Sequence, residues 1–147
     1  MADPITPPGS TDPQDAGTGA PRASRAQAFR ETLFKLIRLD GVRGGLIVTP
    51  DGLVINSELP PRFPVEALAA LAATLGRELE LGASRLDRGA FRTAFFSADD
   101  GTVFLGGSPV GYVTLVADRN VNIDAVRTAL GRSVDRLRGT WRTSGAA

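Results

Sequence analysis

The 147-residue chain contains no cysteine and no histidine. The first absence excludes a disulfide framework, a thiolate metal site and a cysteine nucleophile. The second removes the commonest general base and the commonest metal ligand near neutral pH. Lysine occurs once, at Lys35, against 16 arginines. That lysine follows Phe34 rather than a glycine-rich turn, so a phosphate-cradling loop of the Gly-Lys-Ser/Thr type is excluded. Gly41–Gly45 lacks the spacing of a dinucleotide loop, and Asp99-Asp100-Gly101 is too short to wrap calcium. Ser57 and Glu58 have no histidine to complete a triad. No apolar run approaches the ~20 residues that span a bilayer. The start, Met1-Ala2-Asp3-Pro4-Ile5, has neither the basic region nor the apolar core of a secretion signal. A net charge of +1 is too small to attract nucleic acid. These absences predict a cytoplasmic protein with no catalytic residues, no cofactor, no metal, no nucleic-acid partner and no membrane insertion.

What is present is a regular series of elements. Residues 1–23 hold five of the ten prolines among Gly, Ser, Thr, Asp and Ala, a composition that predicts a disordered tail. Ser24 opens a helix to about Leu39, with Phe29, Leu33, Leu36 and Ile37 on one stripe. Two short strands, Gly45–Thr49 and Leu53–Ser57, flank the turn Pro50-Asp51-Gly52. In that turn proline pre-sets one dihedral, aspartate caps its own backbone and glycine accepts a positive φ. Pro64 launches a second helix to about Leu81. Strands follow at Gly89–Ala98, Thr102–Leu105 and Val110–Ala117, and a last helix runs from Asn122, its N-cap, to about Arg138. Ile123, Val126, Leu130, Val134 and Leu137 form its stripe.

Several strands are apolar on consecutive residues, as in Leu46-Ile47-Val48 and Val103-Phe104-Leu105. Consecutive residues point to opposite faces, so both faces of the sheet must be covered. The expected fold class is therefore α+β: a three-layer α/β/α arrangement around a five-stranded, mostly antiparallel sheet. The domain spans 24–140, with 141–147 as a flexible C-terminus.

The second helix carries two apolar faces. On a helical wheel Leu68, Leu71, Ala72, Leu75 and Leu79 share the side expected to pack on the sheet. Ala69, Ala73 and Gly76 form a second stripe, flanked by Glu66, Arg77 and Glu80. Alanine is a good helix former, and that alone accounts for such a stripe. The alternative is a self-association face about a two-fold axis, which small residues would let a partner backbone approach closely. Phe91, Arg92, Thr93 and Phe95 of the next strand are expected to join that interface. An unpaired sheet edge would otherwise be exposed there. On this reading Ala73→Arg separates the two copies and leaves the core intact.

The order helix, hairpin, helix, three strands, helix resembles the Roadblock family of dynein light chains and their bacterial relatives. The resemblance rests on Gly44–Ser57, on Leu68-Ala69-Ala70-Leu71-Ala72, on Gly111-Tyr112-Val113-Thr114-Leu115-Val116, and on Asn122-Ile123-Asp124-Ala125-Val126-Arg127. It implies a homodimer built through the second helix and third strand, and a Ras-like small GTPase as regulated partner, as for the similar MglB-type regulators. Among sixteen arginines none is singled out to act on such a partner in trans; Arg43 beside the first strand and Arg62 in the proline-rich loop are conceivable, and an ordinary surface role accounts for each. The MglB-type likeness implies instead that the partner's own switch loops are reshaped. Two other readings stay open: a dimeric scaffold with no GTPase partner, and a small-molecule sensor of the PAS or GAF kind.

Overall fold

The computed structural model describes residues 25–146; the tail expected over residues 1–23 lies outside them. The first helix, α1, covers residues 25–36. It buries Phe29, Leu33 and Leu36, the stripe expected from their spacing. It stops three residues before the expected end because the chain tightens into shorter turns, with Arg38 N–H bonded to the Lys35 carbonyl and Leu39 N–H to that of Leu36.

Five strands follow in the expected order: β1 (Val42–Val48), β2 (Val54–Glu58), β3 (Thr93–Ala98), β4 (Gly101–Gly107) and β5 (Tyr112–Ala117). They form one sheet in the order β2-β1-β5-β4-β3, and every neighbouring pair is antiparallel. The β1–β2 hairpin closes as its turn residues require. Gly52 takes φ 93°, its N–H bonds the Thr49 carbonyl, and the Thr49 hydroxyl accepts from Leu53 N–H. β3 begins four residues later than expected.

The remaining helices are α2 (Val65–Arg85) and α3 (Ile123–Ala146). Both outrun their expected ends. Gly82 does not break α2, which runs on to Arg85 and is closed off at Asp87. There φ turns to 54° and Arg88 N–H reaches back to the Ala83 carbonyl. In α3 the side chain of Asn122 caps the amide of Ala125, as expected. With no proline after Arg138, the helix carries on through residues 141–146, where a flexible end was expected.

The sheet is covered on both faces, as its doubly apolar strands demand. Phe29 and Leu33 of α1 and Val126, Leu130 and Val134 of α3 pack against Ile47, Phe104, Val113 and Leu115. On the other face Leu68, Ala69 and Ala72 of α2 pack against Leu46, Val48, Leu105 and Tyr112. Successive residues of β4 and β5 alternate between these two cores, the period-two rule of a strand applied to both sides. Arg43 and Asp118 pair through two hydrogen bonds of 2.8 and 2.7 Å, tying the start of β1 to the chain just after β5.

Candidate interaction surface

α2 is rotated on the sheet relative to the expected orientation. Leu68 and Ala72 face the sheet as predicted, but Leu71 is exposed. Ala69 and Ala73 are each 3% exposed, and Gly76 is buried. The small-residue stripe therefore packs inward and is not available to a second copy, which corrects the expectation for these three residues. The physical reason lies beneath them. Tyr112 stands on the α2 face of β5, and a Cβ at Gly76 would lie 2.5 Å from its ring. Bulk on the sheet calls for small residues on the helix above it, since interiors leave no spare volume. Ala73→Arg would consequently disrupt the core rather than leave it intact.

The other expected interface residues divide. Phe91 is buried and belongs to the core under α2, so it too is withdrawn from any partner. Arg92 is exposed but engaged: it pairs with Asp135 of α3 at 2.8 Å and reaches the Gly131 carbonyl at 3.3 Å. Arg138 donates to the Phe91 carbonyl at 2.6 Å. Together these two arginines fasten the approach to β3 onto α3. Thr93 is half-buried. Arg77 donates to the Pro50 carbonyl, and Glu80 is half-buried at the edge of α2. Arg43, held by Asp118, has its guanidinium committed within the chain. Arg62 sits exposed in the loop before α2, at φ 69°.

What the structure does assemble is an apolar margin along β3. This strand is one edge of the sheet. Phe95 and Phe96 point to opposite faces of it and are 44% and 39% exposed. Phe95 leans on Phe104, ring centres 5.9 Å apart. On the other face Leu75 and Leu79 of α2, with Ala94, Phe96, Val103 and Leu105, line a cleft of about 210 Å³. Leu71 continues the row Leu71, Leu75, Leu79 at helical spacing. Leu81 and Leu86 add two more exposed leucines at the end of α2. Phe96, Leu71, Leu75 and Leu79 were not among the expected interface residues. The alternation within Thr93–Ala98 signalled Phe96, because neighbours in a strand cannot share a face. Nothing in the leucine spacing separated half-buried from buried.

The family model of the Roadblock/LC7 domain matches residues 29–108, from α1 to the end of β4. The chain belongs to the Roadblock/LC7 family. An uncharacterized protein of Methanocaldococcus jannaschii is 27% identical to this Roadblock/LC7 chain over 109 residues, covering 74% of it and 92% of the relative. Among solved structures, MglB of Myxococcus xanthus superposes with a TM-score of 0.68 at 16% identity, over 81% of this chain and 91% of that one. A second MglB structure, described in a tetrameric arrangement, gives 0.66 at 20% identity over 86% and 93%. At such identities these likenesses establish the fold. Among the described residues no group of His, Cys, Asp and Glu side chains is clustered to hold a metal ion.

Proposed function

We propose that this chain is a homodimeric, non-catalytic interaction module that binds and regulates a Ras-like small GTPase. The observation that carries the self-association half is the β3 margin. A free edge strand with a phenylalanine exposed on each face is an aggregation hazard unless something pairs with it. A second copy paired edge to edge about a two-fold axis satisfies the strand's backbone and covers Phe95, Phe96 and the leucine row of α2. The tetrameric arrangement of an MglB relative supports self-association.

Family membership and the MglB fold support the GTPase half. The chain lacks the histidine, cysteine and P-loop residues that catalysis or nucleotide binding of its own would use. Its arginines are numerous, yet Arg43, Arg92 and Arg138 are engaged within the fold. That favours action by reshaping the partner's switch loops over donation of an arginine. Helices on both faces of the sheet weigh against a PAS- or GAF-like sensor, which would keep one face open for a ligand.

The test is binding of the purified chain to Ras-like GTPases loaded with GDP or with a non-hydrolysable GTP analogue. The proposal expects affinity to depend on the nucleotide. Equal binding in both states, or none in either from a folded dimer, would leave a scaffold without GTPase function.

A further inference from the structure

The net charge of +1 conceals an uneven distribution. α1 and α3 share one face of the sheet and α2 covers the other. On the α1/α3 side Arg30, Lys35, Arg38, Arg132 and Arg136 are exposed and take part in no ion pair among the described residues. Carboxylates are fewer there. Asp124 is paired with Arg127 and Asp135 with Arg92, which leaves Glu31 and Asp40. The α2 side has the opposite balance, since α2 holds Glu66, Glu78 and Glu80 against Arg77 and Arg85.

Helix geometry directs the cations away from the core. Phe29, Leu33 and Leu36 of α1, with Val126, Leu130, Val134 and Leu137 of α3, pack toward the sheet. Lys35 and Arg132 lie round the helices from those stripes, on the solvent side. Lys35 and Arg136 meet at the seam between the helices, where both line one cleft with Glu31 and Thr32. The charge therefore belongs to one continuous two-helix layer. Phe34 is 55% exposed on the same layer, with the Arg38 guanidinium 5.3 Å from its ring centre. Gathering cations without matching carboxylates costs the fold self-repulsion, and nothing described within the chain offsets it.

We propose that the α1/α3 layer is a peripheral docking face for an anionic phospholipid surface, its cations meeting the headgroups and Phe34 resting at the acyl boundary. Charge complementarity carries the assignment, because each basic residue held at such a surface strengthens partition about fivefold. An exposed aromatic ring supplies the second, apolar signal that interfacial binding draws on. Among the described residues no helix is long and apolar enough to cross a membrane, so the contact stays at the interface. Nucleic acid would meet the same cations with a fixed ladder of phosphates, and Glu31 stands among them. Fluid lipids can gather under the cations and leave Glu31 bare. Edge-to-edge pairing of β3 about a two-fold axis normal to the sheet would put the α1/α3 layers of both copies on one side and double the face. That doubling rests on the pairing proposed above; the face of a single chain does not.

The test is co-sedimentation of the full chain with vesicles of phosphatidylcholine alone, or mixed in equal parts with phosphatidylglycerol. Binding is expected only with the anionic lipid, and it should fall steeply as salt is raised. Lys35→Glu combined with Arg132→Glu should lower the partition coefficient about tenfold or more. Arg85→Glu combined with Arg88→Glu makes the same change in net charge at the end of α2, and should bind as the parent does. Phe34→Ser should weaken binding at unchanged circular dichroism. Phe96→Glu should still bind anionic vesicles as a single chain, more weakly than the parent, which separates the lipid face from the pairing reading. No binding to either vesicle, equal binding to both, undiminished binding in the α1/α3 variant or an equal loss in the α2 variant would each overturn the assignment. So would displacement from anionic vesicles by duplex DNA at equal phosphate concentration, which would make the face a nucleic-acid surface instead.

Discussion

Replacing Gly76 by alanine sets two opposed effects against each other in a single helix. The substitution removes backbone freedom from the unfolded chain, which alone stabilises a helix interior by up to about 1 kcal/mol. In this protein the added Cβ would stand 2.5 Å from the Cε2 and Cζ atoms of Tyr112. That ring is 3% exposed and cannot swing away as the tip of a surface side chain would. Overpacking of this kind costs about 1–3 kcal/mol. Gly82, six residues further along α2, has nothing within 4 Å of its would-be Cβ. Gly82→Ala should therefore gain stability while Gly76→Ala loses it, the two differing by about 1–3 kcal/mol, the overpacking cost alone. Urea unfolding followed by circular dichroism, at one fixed protein concentration, measures the difference. Adding Tyr112→Leu to Gly76→Ala should recover part of the loss, a coupling that a double-mutant cycle resolves. If Gly76→Ala proved as stabilising as Gly82→Ala, the inward packing of the small-residue stripe would be refuted.

Other substitutions probe the two cores and the surface. Thr114 is fully buried with a hydroxyl that has no partner among the described residues. Thr114→Val should stabilise the fold by about 1 kcal/mol in thermal melts, because it removes an unpaired buried polar group at nearly constant volume. Phe104, fully buried at the centre of β4, should cost about 3–5 kcal/mol when changed to alanine, measured by urea unfolding. The hydrogen bonds from Arg43 hold the Asp118 carboxyl below its ordinary value of 3.8, with slight burial opposing. A carboxyl lowered on folding stabilises above its unfolded pKa and loses that contribution as pH falls through its folded one. Melting temperatures should therefore place Asp118→Asn slightly below the parent at pH 7, with the gap closing as pH drops under about 4.

The order of elements could be read from the chain because its punctuation is local. Pro50-Asp51-Gly52 encodes a reversal, Asn122 a helix start, and consecutive apolar residues a sheet covered on both faces. Orientation of α2 could not be read the same way. A wheel assigns the leucines to the core because they are the largest apolar residues. Which face packs inward depends instead on what rises from the sheet, and Tyr112 lies 36 residues from Gly76. Leu71 is exposed and Ala73 buried for that non-local reason. The margin at β3 was half legible. Phe95 and Phe96 must face opposite ways in any strand, but only the strand order makes β3 an edge. Arg92 and Arg138, which fasten the approach to β3 onto α3, carried no signal in the sequence, since each reaches a partner more than 40 residues distant.

The most direct test of the account is sedimentation velocity of the full chain beside Phe96→Glu. This exposed position at the β3 edge can take a charge without entering either core. The account predicts that the parent sediments at twice the single-chain mass and the variant at the single-chain mass, with closely similar circular dichroism. A parent that sediments as a single chain throughout the micromolar range, or a variant that remains paired, would contradict the assignment of β3 as the self-association edge.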